Sequence, residues 1–157
     1  VKLKVSTTPL YEAFITLAPT PLSVGPSPDG NLAIYHVTGG TLEGPKIKGR
    51  FLPSGGDWVR VRSDGSLALD VRCCVETDDG ALIYIIYGGR FVVPTELQPR
   101  VFDFEAEDRV DPKDYYFRIA PYFETSSPKY AWLNGICAVG VGQTVRGGVA
   151  YSVYAVD

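Results

Sequence analysis

Gly65-Ser66-Leu67-Ala68-Leu69-Asp70-Val71-Arg72-Cys73-Cys74-Val75-Glu76-Thr77 alternates as a half-buried strand does. One face carries Leu67, Leu69, Val71, Cys73 and Val75, and the other Ala68, Asp70, Arg72, Cys74 and Glu76. Asp79-Gly80 then reads as a tight turn into a second apolar run, Ala81-Leu82-Ile83-Tyr84-Ile85-Ile86-Tyr87. The pair is a β-hairpin. Charges beside so apolar a partner lie either on a solvated face or inside a pocket. Ile83, Ile85 and Tyr87 argue for the pocket, which makes Asp70 and Arg72 the expected polar pair inside a barrel.

The same texture runs outward in both directions. Gly and Pro punctuate the chain at Pro19-Thr20-Pro21, Gly25-Pro26, Asp29-Gly30, Gly39-Gly40, Gly44-Pro45, Gly55-Gly56 and Gly88-Gly89, with short β-branched and aromatic runs between them. Strands are expected over about 11–18, 32–38, 46–52, 58–63, 66–76, 81–88, 115–120, 129–141 and 145–156. Helical periodicity is nearly absent. The 157 residues suit one all-β domain spanning 1–157, an antiparallel barrel or sandwich. Residues 93–113 are long, acidic and bounded by prolines, which is the make-up of either a lid or a solvated excursion, and 19–30 read as a second such loop.

Composition narrows the function. A net charge of −3 with no basic stripe gives no nucleic-acid signature. No apolar run approaches the ~20 residues of a membrane helix, so no membrane partner is expected. Three cysteines without a CxxC, and no Asn-X-Ser/Thr acceptor, suit a reducing, cytoplasmic setting. His36 is the only histidine, and no paired Cys/His spacing accompanies it, so no metal is expected. The phosphate-cradling and dinucleotide fingerprints are missing too, so no cofactor is expected.

The acid–base repertoire is then carboxylates, tyrosines, lysines and one histidine. Asp70 and Arg72 start about 6.5–7 Å apart on one strand face. A carboxylate beside an arginine can act as general base with an oxyanion partner, or can be a structural ion pair. Asp57, in Gly55-Gly56-Asp57-Trp58, is either a turn residue or a third catalytic candidate. Trp58, Tyr87, Tyr122, Glu124, Tyr130, Trp132 and Asn134 are candidates to hold a flat aromatic ligand, with Tyr130, Trp132 and Asn134 sharing a face if 129–141 is a strand. His36 is a weaker candidate of the same kind.

Several motifs in order resemble one family: Gly39-Gly40-Thr41-Leu42-Glu43-Gly44-Pro45, Gly55-Gly56-Asp57-Trp58, Leu69-Asp70-Val71-Arg72, Glu76-Thr77-Asp78-Asp79-Gly80, Tyr122-Phe123-Glu124-Thr125 and Tyr130-Ala131-Trp132-Leu133-Asn134. Together they resemble the domain of unknown function 3237 over about Tyr11 to Val156. The resemblance implies a calycin-like (lipocalin-like) barrel with a central pocket. It also implies that some relatives act on polyketide or phenolic intermediates without a cofactor. Two expectations follow. One is a cofactor-independent cyclase or isomerase of secondary metabolism acting on an aromatic polyketide-like molecule, for instance adding a phenol hydroxyl across an alkene. The other is a non-catalytic binder of an apolar aromatic metabolite. The Gly-rich edges and the apolar C-terminal strand are compatible with a homo-oligomer.

Overall fold

A computed structural model describes residues 1–157. Nine strands follow one another: β1 (Thr7–Leu17), β2 (Leu22–Ser27), β3 (Gly30–Glu43), β4 (Lys48–Val61), β5 (Leu67–Thr77), β6 (Leu82–Val92), β7 (Tyr116–Glu124), β8 (Cys137–Val145) and β9 (Gly148–Val156). The sheet order is β1-β9-β8-β7-β6-β5-β4-β3, and β3 pairs back onto β1. Eight strands thus close into an antiparallel barrel, with β2 added outside along β3. Closure leaves no long free edge, which protects a β protein from edge-to-edge pairing.

Closure depends on β3 changing partner along one edge. β4 holds the other edge, from Asn31↔Val61 to His36↔Gly56 and again from Thr41↔Arg50 to Glu43↔Lys48, while β2 pairs with its first half and β1 with its second, from Leu17↔Val37 to Glu12↔Glu43. At the crossing Gly40 has a φ of 133°, and a Cβ there would lie 2.0 Å from the Phe14 carbonyl oxygen. Only glycine lets the two backbones approach so closely.

The founding hairpin forms as its alternation requires. Val71 faces Tyr87, Cys73 faces Ile85, and Val75 faces Ile83, all buried on the inner side. Asp70 faces Gly88 and Arg72 faces Ile86 on the outer side. Register therefore places the charges away from Ile83, Ile85 and Tyr87, and a one-residue slip would expose the whole apolar set. Each such side chain contributes about 1.5–3 kcal/mol on burial. That exceeds anything gained by turning an ion pair inward.

Three other expectations change. The expected strands 46–52 and 58–63 are one strand, β4. The expected loop 19–30 contains β2. The expected strand 129–141 divides into a 3₁₀ turn, Pro128–Gly135, and β8. Pro128 and Gly135 bound that turn, and Tyr130 and Leu133 are its buried residues, three apart as a 3₁₀ period demands. The acidic segment between β6 and β7 forms three short helical turns, Thr95–Leu97, Gln98–Val101 and Pro112–Asp114. No helix is long and apolar enough to cross a membrane.

Candidate functional site in the barrel hollow

The barrel interior is filled at one end and hollow at the other. Phe51, Val75, Ile83, Phe123, Tyr130 and Leu133 are buried at the filled end. The hollow is walled by Ile15, Val37, Val59, Leu69, Val71, Phe91, Phe117 and Val149, with Tyr35, Tyr87 and Tyr151 among them. Phe102 and Phe104, from the segment between β6 and β7, complete the lining. Asp57 is the one carboxylate in it, and no Lys, Arg or His is present.

A break in the β4–β5 ladder sets Asp57. Between Phe51 and Gly55 the register shifts, and Gly55 takes a φ of 86° with its would-be Cβ only 2.0 Å from the Arg72 carbonyl oxygen. Regular pairing resumes at Gly55↔Cys73, Gly56↔Arg72 and Asp57↔Val71, then lapses until Arg60↔Ala68. In that lapse the Asp70 amide donates to Asp57 Oδ1 at 3.0 Å. A side chain thus satisfies a backbone donor that the ladder leaves free.

Burial pushes the Asp57 carboxyl up from 3.8 to about 7, the Asp70 amide bond partly opposes this, and the nearby Asp70 charge adds to it. Tyr35, paired with Asp57 across β3 and β4, is raised by desolvation and then by the Asp57 charge. Tyr87 and Tyr151 are raised by burial and feel both each other and Asp57. Their rings meet edge to face with centroids 5.7 Å apart. All three phenols therefore stay protonated near neutrality, while a carboxyl raised to about 7 can both take and return a proton near that pH.

The hollow measures about 60 Å³. An apolar cavity that takes up benzene measures roughly 150 Å³, so a ring enters this smaller hollow only if the lining yields. Phe102 and Phe104 lie on the one lining segment outside the barrel ladder.

Of the catalytic candidates, Asp57 and not the Asp70–Arg72 pair faces this hollow. Asp70 and Arg72 are ion-paired at 3.2 Å on the outer wall, both about half exposed, and Arg72 lies 5.9 Å over the outward Trp58 ring. Tyr87 is the one binding candidate that lines the hollow. His36, Tyr122 and Glu124 are exposed on the outer face. Tyr130 is buried at the filled end, with its hydroxyl on Asp79. Trp132 is partly buried under Lys46, and Asn134 holds Thr125 by its amide hydrogen and carbonyl. The 3₁₀ turn separates Tyr130, Trp132 and Asn134, which a strand would have placed on one face. Tyr35, Tyr151, Phe102 and Phe104 were missed. Tyr151 was signalled by Val149-Tyr151-Val153, an apolar alternation with a phenol at its centre.

The architecture defines a closed eight-stranded antiparallel barrel whose hollow holds one carboxyl among phenols and hydrocarbon. The chain belongs to the family described as protein of unknown function DUF3237, which matches residues 5–156. A UPF0311 protein of Clostridium acetobutylicum is 40% identical over 104 residues, 66% of this chain and 64% of that protein, a little under two thirds of its length. A crystal structure of a beta-barrel like protein from Acinetobacter baumannii superposes with a TM-score of 0.85 at 39% identity, over 100% of this chain and 99% of the other. More distantly, the hydroalkoxylation enzyme phnH of Penicillium herquei is 29% identical over 109 residues, 69% of this chain and 55% of that enzyme.

Proposed function

We propose that the protein is a cofactor-independent acid–base enzyme that isomerises a small, largely apolar, ring-bearing molecule, with Asp57 as the proton-transfer group. The observation that carries this reading is one carboxyl, raised to about 7, in a hollow otherwise lined by apolar and aromatic side chains. A general acid–base group works best with its pKa near the operating pH. A pure carrier of an apolar ligand gains nothing from burying a carboxylate, which costs stability.

The distant likeness to a hydroalkoxylation enzyme supports a specific reaction, intramolecular addition of a hydroxyl across an alkene. Asp57 takes the hydroxyl proton as the oxygen closes on the nearer alkene carbon. The same carboxyl returns the proton to the farther carbon. One O–H bond and one C=C π bond are lost, one C–O and one C–H bond form, and the product is an isomer of the substrate. The Tyr35, Tyr87 and Tyr151 hydroxyls donate to the developing oxyanion. Arg72, expected in that role, is replaced by these phenols. The tight walls hold the two reacting groups in one conformer.

The test is a panel of ortho-alkenyl phenols incubated with the protein and with Asp57→Asn, followed by chromatography. Formation of an isomer of unchanged mass by the wild type, lost in a folded Asp57→Asn, supports the reading. Return of every bound compound chemically unchanged assigns the hollow to storage instead.

A further inference from the structure

The β4–β5 wall is irregular beside Asp57. Between Asp57↔Val71 and Arg60↔Ala68 the β4–β5 ladder has no paired residues, and Leu69 lines both the hollow and a groove on the outer surface. That groove is formed by Leu32, Trp58, Arg60, Ala68, Asp70 and Arg72. Asp70 is thus bifunctional by geometry. Its amide reaches Asp57 Oδ1 at 3.0 Å, and its carboxylate holds the Arg72 guanidinium at 3.2 Å on the other side of the same strand. Arg72 is fixed from a second direction by the Trp58 ring, and Trp58 follows Asp57 in sequence.

We propose that the exposed Asp70–Arg72 pair is a positioning unit that acts through the barrel wall on Asp57, fixing the orientation of its carboxyl and setting the pH at which it exchanges its proton. This rests on the reading of Asp57 as the acid–base group. The backbone amide favours the carboxylate, because a donated N–H stabilises negative charge. The Asp70 carboxylate disfavours it, because like charges repel, a repulsion that solvent at the half-exposed Asp70 weakens without removing. Arg72 offsets Asp70.

The other groups facing Asp57 do not duplicate this. Tyr35 from β3, Tyr87 from β6 and Tyr151 from β9 are neutral phenols at neutral pH. The hollow's lining from β1, from β7 and from the segment carrying Phe102 and Phe104 brings no charge. Arg60 lines the same groove but is held by the Asp29 carbonyl at 3.2 Å, so the outer pair is the charged neighbour whose backbone touches Asp57, and its exposed side chains can be changed without disturbing the core.

The experiment is a carboxyl-¹³C NMR titration of Asp57 in wild type, Asp70→Asn, Arg72→Gln and the double variant, without substrate. Asp70→Asn is expected to lower the Asp57 midpoint, and Arg72→Gln to raise it, each by about half a pH unit or more. The double variant should fall between them, and Arg72→Lys should restore the wild-type midpoint. High salt should shrink the shifts of the two single variants, because the outer pair is open to solvent. Midpoints that agree in all variants overturn the proposal. So do shifts of one sign in both single variants, which would report a general loosening of the strand. Thermal melting of each variant checks folding, and the downward shift in Asp70→Asn keeps the test decisive if Arg72→Gln does not fold. Full turnover by Asp57→Asn, with these shifts seen in the other variants, would reject Asp57 as the acid–base group and leave the coupling standing.

Discussion

Phe104 meets Tyr35 edge to face, with ring centroids 6.3 Å apart and planes at 72°. A residue from the segment between β6 and β7 thus packs on the phenol paired with Asp57. That segment is tied to the barrel by few bonds. The Gly147 amide donates to the Phe104 carbonyl at 2.9 Å, Arg146 pairs with Glu107 at 3.3 Å, and Arg109 donates to the Thr144 hydroxyl at 2.6 Å and, within the segment, to the carbonyls of Val101, Asp103 and Ala106.

Phe104→Ala is expected to widen the hollow and speed uptake of ring compounds several-fold. Stopped-flow mixing with an apolar fluorescent dye measures this. Stability should fall by about 1–3 kcal/mol, less than a fully buried Phe→Ala change because Phe104 is half-buried. A stability loss with unchanged uptake would show that ligands enter elsewhere.

Asp57 makes stability depend on pH in an unusual direction. Its folded pKa is about 7, against 3.8 for an ordinary aspartate. Between those values the native state keeps a proton that the unfolded chain has released, so stability falls as pH rises from about 4 through 7. Asp57→Asn removes that cost and leaves an oxygen for the Asp70 amide. The variant is expected to exceed wild type at pH 8 by up to about 4 kcal/mol, with partial exposure reducing the figure, and to match it near pH 4. Urea unfolding at pH 4, 6 and 8 measures the difference. A gap that does not change with pH would place its cause in packing.

The hairpin 65–87 was legible because its period of two and its Asp-Gly turn agree, and the barrel followed from the repeated turn signals. The side on which its charges lie was not. Alternation defines two faces, and only register across β5 and β6 shows that Asp70 opposes Gly88 while Val71 opposes Tyr87. Asp57 was equally hidden. Gly55-Gly56-Asp57 has the composition of a turn, yet here the glycines permit an irregularity within one strand that delivers Asp57 to the interior. The Tyr130 region misled for a further reason: its aromatic-rich composition suits a strand, but Pro128 and the three-residue spacing of Tyr130 and Leu133 favour a 3₁₀ turn.

Asn134 is then a fastener, and its replacement separates structure from binding. Its carbonyl oxygen accepts from the Thr125 amide at 2.8 Å, and its amide donates to the Thr125 carbonyl at 2.9 Å. Asn134→Ala should cost about 1 kcal/mol, the net worth of solvent-accessible bonds of this kind, and leave dye binding in the hollow unchanged. Loss of binding with an intact melting curve would return the C-terminal aromatics to the site.

Asp79 predicts the opposite pH response to Asp57, at the other end of the barrel. Its carboxylate accepts from Lys129 Nζ and Thr77 Oγ1, each at 2.6 Å, and from the Tyr130 hydroxyl at 3.0 Å. The Lys129 bond first, then Thr77, hold its carboxyl well below the usual range. A depressed carboxyl contributes stability that is present above the unfolded value, near 4, and is lost as pH falls below it. Asp79→Asn should therefore melt below wild type at pH 7, and the gap should close toward pH 2.5. Lys129→Met should reproduce most of the pH 7 loss if the ion pair carries it, whereas Tyr130→Phe should reproduce little. An undiminished gap at pH 2.5 would mean that Asp79 serves as a neutral turn residue through Thr77, and the Lys129 contact would then be incidental to the fold.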